Sequence, residues 1–281
     1  MPEAQNILGQ PTRRQRARVD LRKQHGFGAM AAFCVALLYA PIFILVAYSF
    51  NDSRSVSQWT GFSLEWYEAV FENDEMIEAA IVSLQIAIFA TVIATIVATM
   101  AALATTRTRP WRGMTSSYMV VNLPLMVPEI VTAIATLIFF GLLTNVFGLN
   151  FGLGNLMLAH TVFCIPFAYM PIRARLEDMD KTLEQAAADL YASRWQTFRR
   201  VTLPLLMPGI VAGATLSFVI SFDDFTISLF VAQPGQTTLP IYIWTSLRRG
   251  ISPEINAMSS LLLLISVMLV TASFLWGRRK K

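Results

Sequence analysis

Long apolar segments are the feature that most constrains this chain. Six stretches come close to or exceed the roughly 20 apolar residues that a helix needs to cross about 30 Å of hydrocarbon. They cover approximately residues 28–50, 79–104, 118–143, 153–173, 205–232 and 256–276. Because lipid offers the backbone no hydrogen bonds, only helices or closed barrels can span it, and barrel strands alternate polar and apolar residues. The continuous apolar runs therefore predict an all-α integral membrane protein with about six transmembrane helices.

Composition agrees with a membrane location. Only 14% of the residues are charged and the mean hydropathy is +0.53, whereas about a quarter of the residues in soluble domains are charged. Cys34 and Cys164 both lie inside apolar runs, and neither has the spacing of a disulfide framework or a metal site. Both cysteines are predicted to be packing residues, and no metal site is expected.

The basic residues predict the orientation. All but three of the 22 lysines and arginines lie in the N-terminal tail, after the second and fourth apolar segments, or at the C-terminus. Because Lys and Arg are retained on the cytoplasmic side, both termini are predicted to be cytoplasmic. The chain then divides into a basic tail (1–27), a transmembrane domain (28–276) with an internal loop at about 174–204, and a second basic tail (277–281). This topology explains the net charge of +4, so nucleic-acid binding is not expected.

Three acidic residues fall within the apolar segments. Asp223 and Asp224 lie in the fifth segment, and Glu129 follows Pro128 in the third. An ionised Asp near the membrane centre costs on the order of 2.5–3.5 kcal/mol on insertion scales, and no Lys or Arg stands close in sequence. One interpretation is structural, with one Asp capping or bonding a neighbouring helix and the other reaching the interface. The alternative is that the three acids line a path for a positively charged passenger.

Other residues within these segments are expected to shape the helices. Pro124 and Pro128 predict a kink in the third span, because proline removes a helix hydrogen bond. His160 in the fourth span is interpreted as an interhelical hydrogen-bonding residue rather than a proton relay. In the external loop, Trp59 and Trp66 could lie in the interfacial aromatic belt or make cation–π contacts at an entrance.

The internal loop contains the pattern of a short surface helix. Thr182 and Gln185 have the spacing of a capping box, which predicts a helix start at this point. Apolar residues then recur at helical spacing and predict one apolar stripe on the cytoplasmic side. These residues are Leu183, Ala186, Ala187 and Leu190.

Enzyme motifs are missing from the sequence. The single Lys-Thr pair, Lys181-Thr182, follows Asp178-Met179-Asp180 rather than the glycines of a phosphate-binding loop. The sequence also contains no Gly-x-Ser-x-Gly, His-Glu-x-x-His or Cys/His cluster. The chain is therefore not expected to be an enzyme, to have catalytic residues, or to bind ATP or another cofactor itself.

The run from Glu184 to Ser193, followed by Val201-Thr202-Leu203-Pro204, resembles the EAA loop of ABC importer permeases. In that family the loop forms a coupling helix that docks in a groove of the ATPase subunit. Two residues depart from the motif: Gln185 stands where Glu is usual, and Tyr191 where Gly is usual. The resemblance implies that ATPase coupling involves Glu184, Gln185, Ala186, Ala187, Leu190, Tyr191, Leu203 and Pro204.

A narrower resemblance, to spermidine/putrescine permeases, extends over nearly the whole chain. It rests on four sequence runs: Trp59-Thr60-Gly61-Phe62 with Trp66-Tyr67, Pro128-Glu129-Ile130, Ser221-Phe222-Asp223-Asp224-Phe225, and Thr238-Leu239-Pro240 leading to Ser252-Pro253-Glu254-Ile255-Asn256-Ala257. The resemblance implies the second permease subunit of a polyamine importer in a bacterial inner membrane. The implied partners are a homologous permease, two copies of an ATPase that holds ATP and Mg²⁺, a periplasmic binding protein and membrane lipid. The expected substrate path comprises Asp223, Asp224, Glu129, Trp59 and Trp66.

Three alternatives remain open on the sequence. A permease of the same family could carry another small nitrogen- or phosphorus-containing solute. A secondary transporter or cation channel would also explain the intramembrane acids, but it would not need the coupling loop. A membrane-bound assembly factor or enzyme would use the acids structurally.

Overall fold

The computed structural model describes residues 25–53, 58–108, 111–250 and 252–279. Within these ranges the secondary structure is helical, apart from one isolated β-bridge between Asn51 and Phe62. The helices are α1 (His25–Tyr48), α2 (Glu65–Glu72), α3 (Asp74–Thr106), α4 (Met114–Met126), α5 (Glu129–Phe147), α6 (Leu153–Asp178), α7 (Thr182–Asp189), α8 (Arg194–Thr197), α9 (Leu203–Phe222), α10 (Thr226–Val231), α11 (Leu239–Arg249) and α12 (Pro253–Arg279), with a π-helical turn (Phe198–Thr202) between α8 and α9. The chain divides into two units, Met1–Leu45 and Val46–Lys281.

Six of the described helical segments are long and apolar enough to cross a membrane. They are Gly26–Tyr48, Asp74–Thr106, Glu129–Phe147, Leu153–Asp178, Arg194–Phe222 and Pro253–Gly277. The predicted all-α class and the number of spans are confirmed. The predicted domain boundaries stay predictions: α1 already begins at His25 and α12 extends to Arg279, while residues 1–24 and 280–281 of the two basic tails lie outside the described residues.

The third predicted span is not one kinked helix, and that expectation was wrong. α4 ends at Met126 and α5 begins at Glu129, with Val127 and Pro128 in an extended conformation between them. Proline disfavours helical dihedrals in the residue before it, so the helix breaks rather than bends. Glu129 therefore occupies the first turn of a helix, where the helix dipole favours a carboxylate, instead of a position well inside a span.

The fifth predicted span, 205–232, is also interrupted. α9 ends at Phe222 and α10 begins at Thr226, so the Asp-Asp pair lies in a break between two helices. The sequence interpretation placed both aspartates inside one continuous helix. The break leaves backbone N–H and C=O groups without a partner in a helix, so side chains must form hydrogen bonds with them. These contacts are described with the site below.

α3, α6 and α9 pack against one another and form the centre of the second unit. Small residues allow this close approach, as is common between membrane helices. On α3, completely buried alanines recur at every fourth position: Ala90, Ala94, Ala98 and Ala102. On α9, Gly209 and Gly213 face α6, and a Cβ atom at Gly213 would lie 2.7 Å from the carbonyl oxygen of Ala168. The close α6–α9 contact thus requires a glycine, which has no Cβ atom, at position 213.

We expect Gly213→Ala to destabilise the protein by about 1–3 kcal/mol, the usual cost of overpacking a well-packed contact. The matched control is Gly141→Ala in α5, where an added Cβ meets no described atom within 4 Å. That control should be neutral or gain up to about 1 kcal/mol from helix propensity. SDS-induced unfolding in mixed micelles measures both changes, and equal effects at the two glycines would contradict the close α6–α9 contact.

One end of the second unit holds α2 and α11 against α3. The Ser83 hydroxyl of α3 accepts a hydrogen bond from the Leu239 amide at 2.8 Å, at the start of α11. The Asn73 side-chain amide, one residue before α3, donates to the Tyr242 hydroxyl at 3.1 Å. α2 also packs against α12. These contacts position α11 beside the helix break that follows α9.

Candidate functional site

The break between α9 and α10 is stabilised by Asp224. Its side chain is buried, and its carboxylate oxygens accept hydrogen bonds from the Ser228 amide at 3.0 Å and the Ile227 amide at 3.4 Å. These amides belong to the first turn of α10 and have no partner within that helix. Asp224 therefore caps α10, the structural role that the sequence interpretation had allowed for one of the two aspartates.

His160 of α6 connects the two sides of this break. Its Nδ1 lies 2.9 Å from the Ser221 hydroxyl at the end of α9, and its Nε2 lies 3.1 Å from the Ser228 hydroxyl in α10. Nε2 is also 3.4 Å from Asp224 Oδ2. Both ring nitrogens thus have partners on neighbouring helices, as the interpretation of His160 as an interhelical hydrogen-bonding residue requires. His160 thus joins α6 to the residues on both sides of the α9–α10 break.

Glu129 reaches the same cluster from α5. Its carboxyl group interacts with the Asp224 carboxyl group, although Glu129 itself is exposed. The structure thus places two of the three predicted acids near each other. Among the described residues, no three His, Cys, Asp or Glu side chains are arranged to hold a metal ion.

Asp223 lines a separate cavity of about 520 Å³, to which Asp224, His160 and Glu129 do not contribute. It is the only acidic residue among the described residues that line the cavity. The remaining lining is apolar or aromatic with two hydroxyls: Val219, Phe222, Phe225, Pro240, Ile243, Trp244, Leu247, Ser259, Leu262, Leu263 and Ser266. The Phe225 and Trp244 rings pack with centroids 5.4 Å apart, and the Arg248 guanidinium lies 5.0 Å from the Trp244 ring. This arrangement offers one carboxylate on an aromatic wall, a combination that suits an organic cation.

The two predicted tryptophans lie outside this cavity. Trp66 is only 7% exposed, packs in an apolar cluster and donates its indole N–H to the Asn51 carbonyl at 2.6 Å. A buried ring with a satisfied N–H offers no face to a passenger, so Trp66 is structural here. Trp59 is 53% exposed and packs edge-on against Tyr48. The aromatic residues that do line the cavity, Phe225 and Trp244, were missed.

The predicted coupling segment contains α7 and presents apolar residues to solvent on this helix and just after it. Leu190 is 82% exposed and Tyr191 is 98% exposed, and Leu183 and Trp195 are exposed as well. Gln185 and Ala186 are exposed, Ala187 is half-buried, and Leu203 and Pro204 form the first turn of α9. These side chains give the coupling segment an exposed apolar surface.

The predicted capping box at Thr182 is wrong. The residue before α7 is Lys181, which makes no side-chain cap, and the Thr182 amide instead donates to Asp180 Oδ1 at 2.9 Å. This hydrogen bond lowers the pKa of the Asp180 carboxyl. The capping box of the segment lies at α8, where the Ser193 hydroxyl and the Gln196 side chain each accept from the other residue's amide.

α7 ends in a Schellman motif with an unusual residue. The Ala192 amide donates to the Ala187 carbonyl and the Tyr191 amide to the Ala188 carbonyl, which places Tyr191 at the left-handed position with φ of 59°. Gly148 occupies the equivalent position after α5, with φ of 67°. Tyr191 is thus the residue at which this chain departs from the glycine of the EAA motif, yet the backbone keeps the glycine-like conformation.

We expect Tyr191→Gly to stabilise the end of α7, because a non-glycine residue in the left-handed region costs roughly 1–2 kcal/mol. Hydrogen exchange of the Tyr191 and Ala192 amides measures this change, and protection should rise about tenfold. Tyr191→Ala is the control, because it removes the ring but keeps the Cβ atom. Equal protection in the Gly and Ala variants would contradict the backbone explanation.

Glu184 does not lie on the exposed face of α7. Its carboxylate contacts Arg107 at the end of α3 and accepts a hydrogen bond from the Thr202 hydroxyl at 2.9 Å. The Glu184 carboxylate is thus engaged within the chain, and its part in ATPase coupling stays a prediction. Gln185 is exposed and remains available to a partner.

Comparison with known proteins identifies the family. The sequence profile described as "Binding-protein-dependent transport system inner membrane component" matches residues 94–279. The chain belongs to this family. This permease is accordingly a transport subunit and a multi-pass protein of the bacterial inner membrane, and the family implies a substrate-binding protein and an ATPase as partners.

Curated relatives match the permease over most of its length. The putrescine transport system permease protein PotI of Escherichia coli K12 is 38% identical over 247 residues, which cover 87% of this chain and 88% of PotI. The spermidine/putrescine transport system permease protein PotC of Haemophilus influenzae is 41% identical over 244 residues, which cover 87% of this chain and 93% of PotC.

Solved structures show that the permease shares the fold of ABC importers. A bacterial ABC transporter that imports the acidic polysaccharide alginate superposes with a TM-score of 0.63 at 13% identity, covering 90% of this chain and 94% of that chain. The MetNI methionine ABC transporter superposes with a TM-score of 0.58 at 18% identity, covering 73% of this chain and 93% of that chain. At such identities the likeness concerns the fold alone.

Proposed function

We propose that this permease carries a polyamine such as putrescine or spermidine into the cell as part of an ATP-driven importer. The observation that carries the proposal is the position of Asp223, whose carboxylate lies on the wall of an otherwise apolar and aromatic cavity. A polyamine has positive ammonium groups separated by apolar methylenes, so such a wall matches both parts of the molecule. The named relatives PotI and PotC, which are polyamine permeases, support the same substrate class.

In this proposal the chain's own residues have separate roles. Asp223 accepts hydrogen bonds from an ammonium group and replaces part of its lost hydration. Asp224 and His160 hold the α9–α10 break so that Asp223 faces the cavity, and Glu129 lies beside the break. The exposed apolar residues of α7 and of the turn that follows it, Leu183, Leu190 and Tyr191, dock on the ATPase.

The proposed assembly contains one homologous permease, two copies of the ATPase, a periplasmic binding protein and surrounding lipid. ATP and Mg²⁺ are bound by the ATPase copies, since this sequence lacks a phosphate-binding loop. Both termini and α7 face the cytoplasm, in agreement with the distribution of basic residues. Alternating access then follows from rocking of the helices around the cavity.

The test is uptake of labelled putrescine and spermidine into vesicles that contain this chain with its co-encoded partners, with and without ATP. ATP-dependent uptake of either amine is the expected result. Uptake that is independent of ATP would identify a secondary transporter instead. An assembled complex that hydrolyses ATP but takes up neither amine would overturn the polyamine assignment and leave an importer of another solute.

A further inference from the structure

Glu184 occupies a junction of three elements. Arg107 Nε lies 3.1 Å from both carboxylate oxygens of Glu184, and the Thr202 hydroxyl donates to Oε1 at 2.9 Å. The Arg107 and Glu184 side chains are only 13% and 21% exposed. A partly buried ion pair with an added hydrogen bond holds its geometry far better than a solvent-exposed pair does.

The partners of Glu184 are the ends of two central helices. Arg107 directly follows α3, and Thr202 directly precedes α9. α3 and α9 pack against each other and against α6 at the centre of the fold. One carboxylate of α7 is therefore bonded to both helices at the end where the ATPase is proposed to dock.

α9 leads from this junction to the proposed substrate cavity. It contains 20 residues, which correspond to about 30 Å at 1.5 Å per residue, and Asp223 follows its last residue. A displacement of α7 that moves Thr202 therefore also moves the residue that faces the cavity. Glu184 therefore contacts the residue before α9, and Asp223 is the residue after it.

The polar side-chain contacts between α7 and other helices depend on Glu184. Within the described part of the chain, Glu184 is the only residue of α7 whose side chain forms an ion pair or a hydrogen bond with another helix or the π-helical turn. Arg107 Nη2 is buried and has no hydrogen-bond partner among the described residues. Loss of the Glu184 charge would leave the guanidinium poorly compensated and α7 without its polar link to the bundle.

We propose that Glu184 is a positioning residue for energy coupling: through Arg107 and Thr202 it transmits the displacement of the ATPase-bound helix α7 to α3 and α9. This inference rests on the proposed ATP-driven function but does not depend on which solute is carried. It assigns Glu184 an internal role and leaves docking to the exposed residues of α7.

The test uses the complete transporter with its partners in vesicles. Cavity movement is followed by the alkylation rate of a cysteine introduced by Ser259→Cys, in a background in which the exposed Cys34 is changed to serine, with and without ATP and vanadate. Three changes are compared: Glu184→Gln, Arg107→Glu, and the charge swap of Glu184→Arg with Arg107→Glu. Co-purification of the ATPase reports docking, and amine uptake per ATP hydrolysed reports coupling.

In Glu184→Gln and Arg107→Glu, the alkylation rate should no longer change with nucleotide. The uptake per ATP hydrolysed should fall at least about tenfold. Co-purification of the ATPase should stay within about twofold of wild type. The charge swap should restore much of both signals, because it re-forms the ion pair with the signs exchanged. Glu177→Gln is the control, since it breaks the more exposed Arg173–Glu177 pair on α6 and should leave both signals unchanged.

The possible negative results distinguish the role of Glu184 from the polyamine assignment. Loss of the ATPase in Glu184→Gln would make Glu184 a docking residue, and an unchanged nucleotide response or an unrestored charge swap would also overturn its transmission role. A wild-type complex whose alkylation responds to nucleotide but which takes up no amine would overturn only the polyamine assignment. A wild-type alkylation rate that ignores nucleotide would overturn both proposals.

Discussion

Asp223→Asn should raise the KM for putrescine uptake by about 10- to 100-fold, while the transporter still assembles with its ATPase. The substitution keeps the size of the side chain but removes the negative charge from the cavity wall. A hydrogen bond to a charged group contributes about 1.5–3 kcal/mol, and about 1.4 kcal/mol corresponds to a factor of ten in binding. Initial rates of ATP-dependent uptake over a range of amine concentrations measure the change.

The neighbouring aspartate is the matched control for this prediction. Asp224→Asn makes the same change of charge one residue further along, but the amide oxygen can still accept the hydrogen bond from the Ser228 amide. We expect the KM for putrescine to stay within about threefold of wild type, since Asp224 does not line the cavity. A larger rise in KM for Asp224→Asn than for Asp223→Asn would contradict the assignment of Asp223 to the substrate.

Asp224→Ala should lower the free energy of unfolding by about 2–4 kcal/mol, because the loss of a buried cap leaves hydrogen-bonding groups unsatisfied. The groups that lose their acceptor are the Ile227 and Ser228 amides, and His160 loses one of its contacts. SDS-induced unfolding in mixed micelles measures the change. We expect this variant to lose its structure first at the α9–α10 break.

Two further variants separate the loss of the cap from the loss of a charge. Asp223→Ala removes an exposed carboxylate and should change the unfolding free energy by no more than about 0.5 kcal/mol. Asp224→Asn should recover much of the stability that Asp224→Ala loses. Similar destabilisation by Asp223→Ala and Asp224→Ala would show that capping is not the basis of the effect.

The coupling segment illustrates how far sequence reasoning reaches. The EAA resemblance located a short helix with an exposed apolar side, and the structure places α7 there. The same resemblance gave Glu184 a part in ATPase coupling but did not reveal its partner within the chain, because Arg107 lies 77 residues away in the sequence. Local spacing also put the capping box at Thr182, although an equally suitable Ser193–Gln196 pair occurs a few residues later.

The sequence by itself determined the helical class, the six spans and the family, because apolar length and a continuous local motif are properties of consecutive residues. It also singled out the Asp-Asp pair for a structural role or a role in a cation path, since uncompensated acids in an apolar segment are costly wherever they point. Only the tertiary structure assigned different roles to the two aspartates. Asp224 turns to His160 and the α10 amides, whereas Asp223 faces the cavity beside Trp244. That division depends on a helix break and on contacts between residues distant in sequence, which no local pattern specifies.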